Sequence, residues 1–306
     1  MDSSLEEYLG IKMTKLHDGG IQLTQKGLID RILKTTGMTE CNGKDSPTDG
    51  SGKPLGSDKD GAPASASWSY PSVIGMLLYL ASHSRPDIAY ATHMAAKYTH
   101  APKASHEAAV VRICRYLQKT KYDGLILRPT KQLELTLYTD ADFAGHYGTT
   151  TEDPHDSITA KSRAGYIITF AGCPIVFVSK LINEVCLSTL EAEFVAYSIG
   201  MRCLLPLKEV LSHFVKHFDC SIKDVRYVIK TDAFIDNSGA LELAKSKRLT
   251  PRTRYMAAKY FWFVDKVLAR GVIPDKINGK IQRADIMTKN TNEDTFIRLR
   301  KLICGW

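Results

Sequence analysis

"LELTLYTDADFAGHYG", residues 133–148, is the stretch on which the reading of the fold turns. Leu133, Leu135 and Leu137 alternate with polar residues, the two-residue period of a strand with one buried face. The run then stops at Asp140 and Asp142, so the strand delivers carboxylates to its C-terminal end.

Downstream, the same grammar continues. "AGYIITFAG" and "CPIVFVSK" are rich in β-branched and aromatic residues and share a short "AGCP" turn, which predicts three successive antiparallel strands. A long helical stretch follows from "LSTLEAEFVAYS". Ser188 with Glu191 three places on forms a capping-box start, and Pro206 is expected to divide the stretch into two helices. "VRYVIKTDAFID" and "GVIPDKI" read as strands, and "NSGALELAKSK", "AAKYFWFVDKVLA" and "TNEDTFIRLRKLI" read as helices. The expected class is α/β, a mixed five-stranded sheet with flanking helices.

Upstream the pattern differs. "YLGIKMTKLHDGGIQLTQ" reads as a hairpin turning at Asp18-Gly19-Gly20, and a helix follows to Thr36. Residues 42–68 are rich in Gly, Ser, Pro and Asp and are expected to form a flexible loop. Three more helical stretches lie between Pro71 and Thr120. The expected division is a mostly helical region over 1–130 and a sheet-containing domain over 131–306.

Of the 306 residues, 44% are hydrophobic and 24% charged, enough to bury a core. No apolar run reaches membrane-spanning length, and the polar "MDSSLEEYLGIK" lacks the pattern of a signal peptide, so no membrane association and an intracellular location are expected. Seven scattered cysteines without a CxxC pair argue for reduced thiols. The net charge of +8 favours polyanionic partners, and Ala244–Val264 holds six Lys or Arg with no acid. Composition alone leaves that segment open between a phosphate-facing surface and a solvated face.

Four acids stand at element ends: Asp140, Glu193, Asp236 and Asp285. Carboxylates that converge repel one another unless a cation neutralises them, and all-oxygen ligation suits Mg²⁺, with Mn²⁺ as a substitute. Two such ions at a phosphodiester promote its hydrolysis. Against this stands the plain alternative that an Asp near a strand end serves as a turn or cap residue.

"YTDADFAG", "SRAGYIITFAGCPIVFVSK", "LSTLEAEFVAYS", "DNSGALELAK" and "ADIMTK", in this order, resemble the ribonuclease H domain of copia-type LTR retrotransposon polyproteins. "YLGIKM", "YPSVIGMLLYLASHSRPDIAYATHMAAKY" and "RYLQKTKYDGLIL" resemble the end of the same polyprotein's reverse transcriptase, its thumb and connection. The resemblance covers nearly the whole chain. It implies an RNase H-like sheet and metal ligation by Asp140, Glu193, Asp236 and Asp285. Glu191 is left to the capping box, and Asp142 and Asp232 are left as neighbours. It implies two Mg²⁺ ions, an RNA/DNA hybrid as substrate, other polyprotein segments as partners, and a cytoplasmic virus-like particle or the nucleus as location. Lys247, Arg248, Arg252 and Arg254 would grip phosphates, and Ser162, Asn237 and Ser238 would add polar contacts.

The chain departs from that family in three ways. No histidine follows His217, so a mobile catalytic histidine is missing. Asn290 replaces the proline that usually follows "TK". No adjacent Asp-Asp occurs, so the polymerase's Tyr-x-Asp-Asp site is missing and no DNA synthesis is expected of this chain alone. These departures keep a second reading open, a truncated and inactive element remnant that binds nucleic acid without cutting it. Other constellations are weaker. His213, His217 and Cys220 share a helical spacing but have no matching ligand pair. Asp140 and His146 lack a nucleophile elbow. Of Phe261, Trp262 and Phe263, at least one must belong to the core.

Overall fold

A computed structural model describes residues 7–148, 158–217, 229–246, 255–256, 258–269 and 271–306. It divides into two compact units. One comprises Met1–Arg128, Ala144–Lys161 and Asp285–Trp306, the other Pro129–Phe143 and Ser162–Ala284, and the last division falls inside the 3-10 turn Arg283–Met287.

The first unit opens with β1 (Glu7–Tyr8), β2 (Ile11–Lys15) and β3 (Ile21–Thr24). The β2–β3 turn is the expected one. Gly19 takes φ +82°, and Asp18 accepts the Gly20 N–H at 3.0 Å. The helices α1 (Lys26–Thr36), α2 (Tyr70–His83), α3 (Ala89–Ala96) and α4 (Ala104–Lys119) follow. The strand β4 (Leu125–Leu127) then pairs antiparallel with β3, completing a four-stranded sheet in the order β1-β2-β3-β4.

Buried among these helices is an ion pair. Arg85 and Asp87 are 0% and 2% exposed, and Arg85 Nη2 lies 2.7 Å from Asp87 Oδ2. The remaining valences are used. Arg85 donates to the Thr120 carbonyl and hydroxyl at 3.0 and 2.8 Å, and Tyr116 donates to Asp87 at 2.6 Å. Asp87 and Tyr116 hold the Arg85 pKa above its ordinary value against the opposing effect of burial.

Residues 42–68 have irregular backbone, as composition predicts, yet they are pinned and not loose. Arg112 donates to the Thr48 carbonyl at 2.6 Å, Tyr98 to that of Leu55 at 2.8 Å, and His106 Nε2 lies 2.8 Å from that of Gly56. Polar, Gly-rich composition marks a segment without secondary structure; it does not preclude side chains of a neighbouring helix from satisfying its carbonyls.

The second unit begins with β5 (Glu134–Asp142), β6 (Arg163–Phe170) and β7 (Cys173–Leu181), consecutive antiparallel strands. Helix α5 (Thr189–His217) follows, then β8 (Lys230–Ile235), α6 (Ser238–Lys245), α7 (Val264–Ala269) and β9 (Val272–Lys276). β8 lies parallel to β5 and β9 parallel to β8, which gives the RNase H-like mixed five-stranded sheet in the order β7-β6-β5-β8-β9.

Two helix expectations need correction. Pro206 lies inside α5 and does not divide it. An interior proline costs about 3 kcal/mol, whereas each buried leucine contributes roughly 1.5–3 kcal/mol. Leu204 and Leu205, 0% and 1% exposed, therefore outweigh the lost hydrogen bond. Conversely, "AAKYFWFVDKVLA" is broken into a 3-10 turn over Ala258–Phe261 and the short α7. The aromatic run explains the break: Phe263 is fully buried while Trp262 turns aside to bond Ser198 Oγ at 3.2 Å.

The chain ends in α8 (Glu293–Cys304). This segment, expected within 131–306, packs with the first unit instead. Its apolar stripe is the cause: Phe296 meets Tyr116 edge-on at 5.6 Å, and Trp306 Nε1 bonds the Gly124 carbonyl at 2.6 Å. Among the described residues no helix is long and apolar enough to cross a membrane.

Candidate metal centre

β5 and β8 are parallel neighbours with Tyr138 opposite Phe234, and those two rings lie 5.5 Å apart on one face of the sheet. Side chains two residues apart in a strand share a face. Two steps beyond this ring pair come Asp140 and Asp236, one from each strand end. Asp140 is fully buried and still within β5, paired with Gly165 of β6. Asp236 follows the last residue of β8, and the next residue, Asn237, caps α6 by accepting the Ala240 N–H at 3.0 Å.

The third acid arrives from the C-terminal side. Gln282 is fully buried and donates its side-chain amide to the Thr139 carbonyl at 2.9 Å. Arg283 lays its guanidinium over the Tyr138 ring at 4.9 Å. The 3-10 turn that starts there carries Asp285. One carboxylate oxygen from each of Asp140, Asp236 and Asp285 then lies within 4.8 Å of the others. Lys289, one turn on, places Nζ 3.0 Å from Asp285 Oδ1.

Glu193 is not in this group. It is 4% exposed on α5, which meets β5 through Gly200, where an added Cβ would lie 3.0–3.1 Å from the methyl groups of Leu137 and Thr139. That is the odd-numbered face of β5, whereas Asp140 belongs to the even-numbered set. Glu191 is a capping residue as expected: its N–H meets Ser188 Oγ at 3.1 Å, and its Oε2 accepts the Leu187 N–H at 2.7 Å. Asp232 is held by Lys230 at 2.6 Å, and with Glu134 it keeps the Lys230 pKa above the usual lysine value. Asp142 ends β5 outside the trio.

The expected polar contacts fare differently. Ser162 is fully buried and hydrogen-bonded to Cys186, whose thiol burial pushes up to about 11. It has no exposed surface to offer a substrate. Asn237 spends its side-chain oxygen on the α6 cap, and Ser238 is exposed, with Lys276 Nζ 2.6 Å from its hydroxyl. Lys247, Arg248, Arg252 and Arg254 lie outside the described residues, as does Cys220. His213 and His217 are exposed neighbours on α5 and belong to no group of metal-ligating side chains among the described residues. Sequence reasoning missed Gln282 and Arg283. A single Gln or Arg before an acidic turn carries no local signal, because its partner is some 140 residues away in the chain.

The trio fits a hard divalent cation. All donors are carboxylate oxygens, and Mg²⁺ at about 2.0–2.1 Å from each ligand spans donors roughly 3–4 Å apart. An RNase H-like sheet with two acids at its central strand ends, and a third brought beside them by a 3-10 turn, is therefore what the fold and site define.

No protein-family model matches the chain. Relatives do. The retrovirus-related Pol polyprotein from transposon TNT 1-94 of Nicotiana tabacum is 29% identical over 305 residues, 97% of this chain and 21% of that one. The corresponding polyprotein from transposon RE1 of Arabidopsis thaliana is 28% identical over 95% of this chain and 18% of its own length. A putative transposon Ty5-1 protein of Saccharomyces cerevisiae is 31% identical, with 63% of this chain matching 59% of that protein. The chain is similar over nearly its whole length to the retrovirus-related Pol polyproteins of these plant transposons. It spans about a fifth of the length of the two plant polyproteins. Among solved structures, a ribonuclease H1 isolated from compost is similar at 18% identity and a TM-score of 0.33, covering 51% of this chain and 94% of that one. A likeness of that degree decides nothing; the fold is defined by strand order and direction.

Proposed function

We propose that this chain hydrolyses the RNA strand of RNA/DNA hybrids, with Mg²⁺ as cofactor and Mn²⁺ as a substitute. The observation that carries the reading is the convergence of Asp140, Asp236 and Asp285 within 4.8 Å. Three carboxylates this close repel strongly, and a fold that gathers them is stabilised by a cation. Asp140 and Asp236 hold their oxygens at adjacent strand ends, and Asp285 closes the third side from a turn that Gln282 and Arg283 fix to β5. Divalent ions bound there, two in the full reading, supply charge neutralisation at a phosphodiester and lower the pKa of water. Glu193 has a place in this centre through the family resemblance alone.

The basic segment with Lys247, Arg248, Arg252 and Arg254 grips phosphates without reading sequence. Discrimination for RNA rests on the 2′-hydroxyl and the groove shape of a hybrid. Partners are the hybrid and other segments of the polyprotein.

The test is cleavage of a labelled RNA strand presented in an RNA/DNA hybrid, an RNA/RNA duplex and as a single strand. The expected result is cutting of the hybrid alone, and only with divalent ion. Binding of the hybrid without any cutting would support the alternative, a nucleic-acid-binding remnant.

A further inference from the structure

The acidic centre carries a cation of its own. Lys289 Nζ stands 3.0 Å from Asp285 Oδ1, and the backbone around the pair is fixed. The Thr288 and Lys289 N–H groups both reach the Asp285 carbonyl, at 3.1 and 3.0 Å, and the Thr288 hydroxyl donates to it at 3.2 Å. The next residue, Asn290, donates to Asp49 at 2.6 Å and to the Lys53 carbonyl at 2.8 Å, and accepts the Gly50 N–H at 3.0 Å. Lys289 therefore leaves a turn whose backbone is held on both sides.

Its surroundings set this pair apart from an ordinary surface contact. Lys26 and Asp30 make the same i, i+4 spacing with side chains 47% and 42% exposed, and solvent screens such a contact until it contributes little. The Asp285 side chain is only 18% exposed, and one of its oxygens lies within 4.8 Å of oxygens from Asp140 and Asp236. The Lys289 side chain keeps 42% of its surface in solvent. The carboxylate is held inside the cluster, and the ammonium reaches it from the solvent side.

Two charge effects of opposite sign follow. Before an ion binds, the ammonium offsets part of the repulsion among three carboxylates. Once a divalent ion binds, the same ammonium faces a like charge twice its own across one carboxylate. A hydrogen bond that orients a ligating carboxylate favours the metal. Repulsion between an ammonium and a dication grows with the product of the charges, however, and is the larger effect.

We propose that Lys289 is a positioning residue that acts through Asp285: it holds the acidic cluster together without a metal and lowers the affinity of that cluster for a divalent ion. It thereby sets the Mg²⁺ concentration at which the centre fills. The proposal rests on reading the cluster as a metal centre and does not depend on which phosphodiester is cut.

The test compares the full-length wild type, Lys289→Met and Lys289→Arg by calorimetric titration with Mg²⁺ and with Mn²⁺, and by thermal melting in EDTA and in saturating Mg²⁺. Met keeps the aliphatic stem and removes the charge; Arg keeps the charge. Lys289→Met is expected to melt below wild type in EDTA and yet bind Mg²⁺ about three- to tenfold more tightly, so that saturating Mg²⁺ raises its melting temperature more. Lys289→Arg is expected to follow wild type in both measurements. A residue that merely completes the turn would lower stability without tightening the ion, so the opposite signs distinguish the two roles. An Mg²⁺ affinity of Lys289→Met equal to or weaker than that of wild type overturns the proposal and leaves the metal centre in place. Absence of Mg²⁺ and Mn²⁺ binding by all three chains overturns the metal centre and the proposal together.

Discussion

Gln282 reaches the backbone of Thr139: its buried side-chain amide donates to that carbonyl at 2.9 Å, one residue before Asp140, while its Oε1 takes the Ala284 N–H at 3.3 Å. A segment distant in sequence is thereby tied to the strand that carries the first acid. Gln282→Ala should cost about 1–3 kcal/mol, because it strands a buried carbonyl and a buried N–H. It should also weaken Mg²⁺ binding, read by calorimetric titration. A variant of unchanged divalent-ion affinity would show that the turn carrying Asp285 is positioned by other contacts.

The Arg85–Asp87 pair makes a stability prediction. Breaking a buried pair leaves an uncompensated charge, at about 3–5 kcal/mol. Asp87→Ala should therefore lower the urea midpoint strongly, whereas Arg85→Met with Asp87→Leu should recover much of the loss. A double variant as unstable as the single one would mean that the hydrogen bonds to Thr120 and Tyr116 matter more than the charges.

How much of this was legible in the sequence follows the range of the interactions. The strands from Glu134, Arg163 and Cys173 were readable because alternation and β-branching are local properties. Asp140 and Asp236 were readable because each lies near the C-terminal end of a strand, Asp140 two residues before the end of β5 and Asp236 just after β8. β4 was not assigned as a strand, since its partner β3 lies about 100 residues earlier and three apolar residues carry no period. Pro206 misled for the opposite reason: its local cost is real, but burial of its neighbours exceeds it. Asn290 read as a defect in a family pattern. In the structure its Nδ2 bonds Asp49 at 2.6 Å and the Lys53 carbonyl at 2.8 Å, and its Oδ1 accepts the Gly50 N–H at 3.0 Å.

That clasp has a pH signature. Burial raises the Asp49 pKa, but hydrogen bonds from Asn290 and Ser51 and the charge of Arg112 outweigh it and leave it below the ordinary value. A depressed folded pKa gives stability that is present above the unfolded value, about 3.9, and is lost as pH falls through the folded one. Asn290→Ala should destabilise at neutral pH and flatten this acid limb below about pH 4. Parallel pH profiles for wild type and variant, from urea unfolding, would remove Asp49 from the account.

The basic segment predicts a salt effect. Neutralising Arg252 and Arg254 together should weaken hybrid binding and reduce the slope of log K against log salt, each lost phosphate contact contributing up to about 0.9. An unchanged slope would make the segment a solvated face.

The most direct measurement is hybrid cleavage and hybrid binding, followed side by side for wild type, Asp140→Asn and Asp236→Asn across a Mg²⁺ titration. The account predicts Mg²⁺-dependent cutting by wild type and none by either variant. Hybrid binding should be retained or slightly tightened, because each substitution removes repulsion toward phosphate together with a metal ligand. Cleavage by the variants at the wild-type rate and with the wild-type Mg²⁺ dependence would contradict the assignment of the centre to these carboxylates.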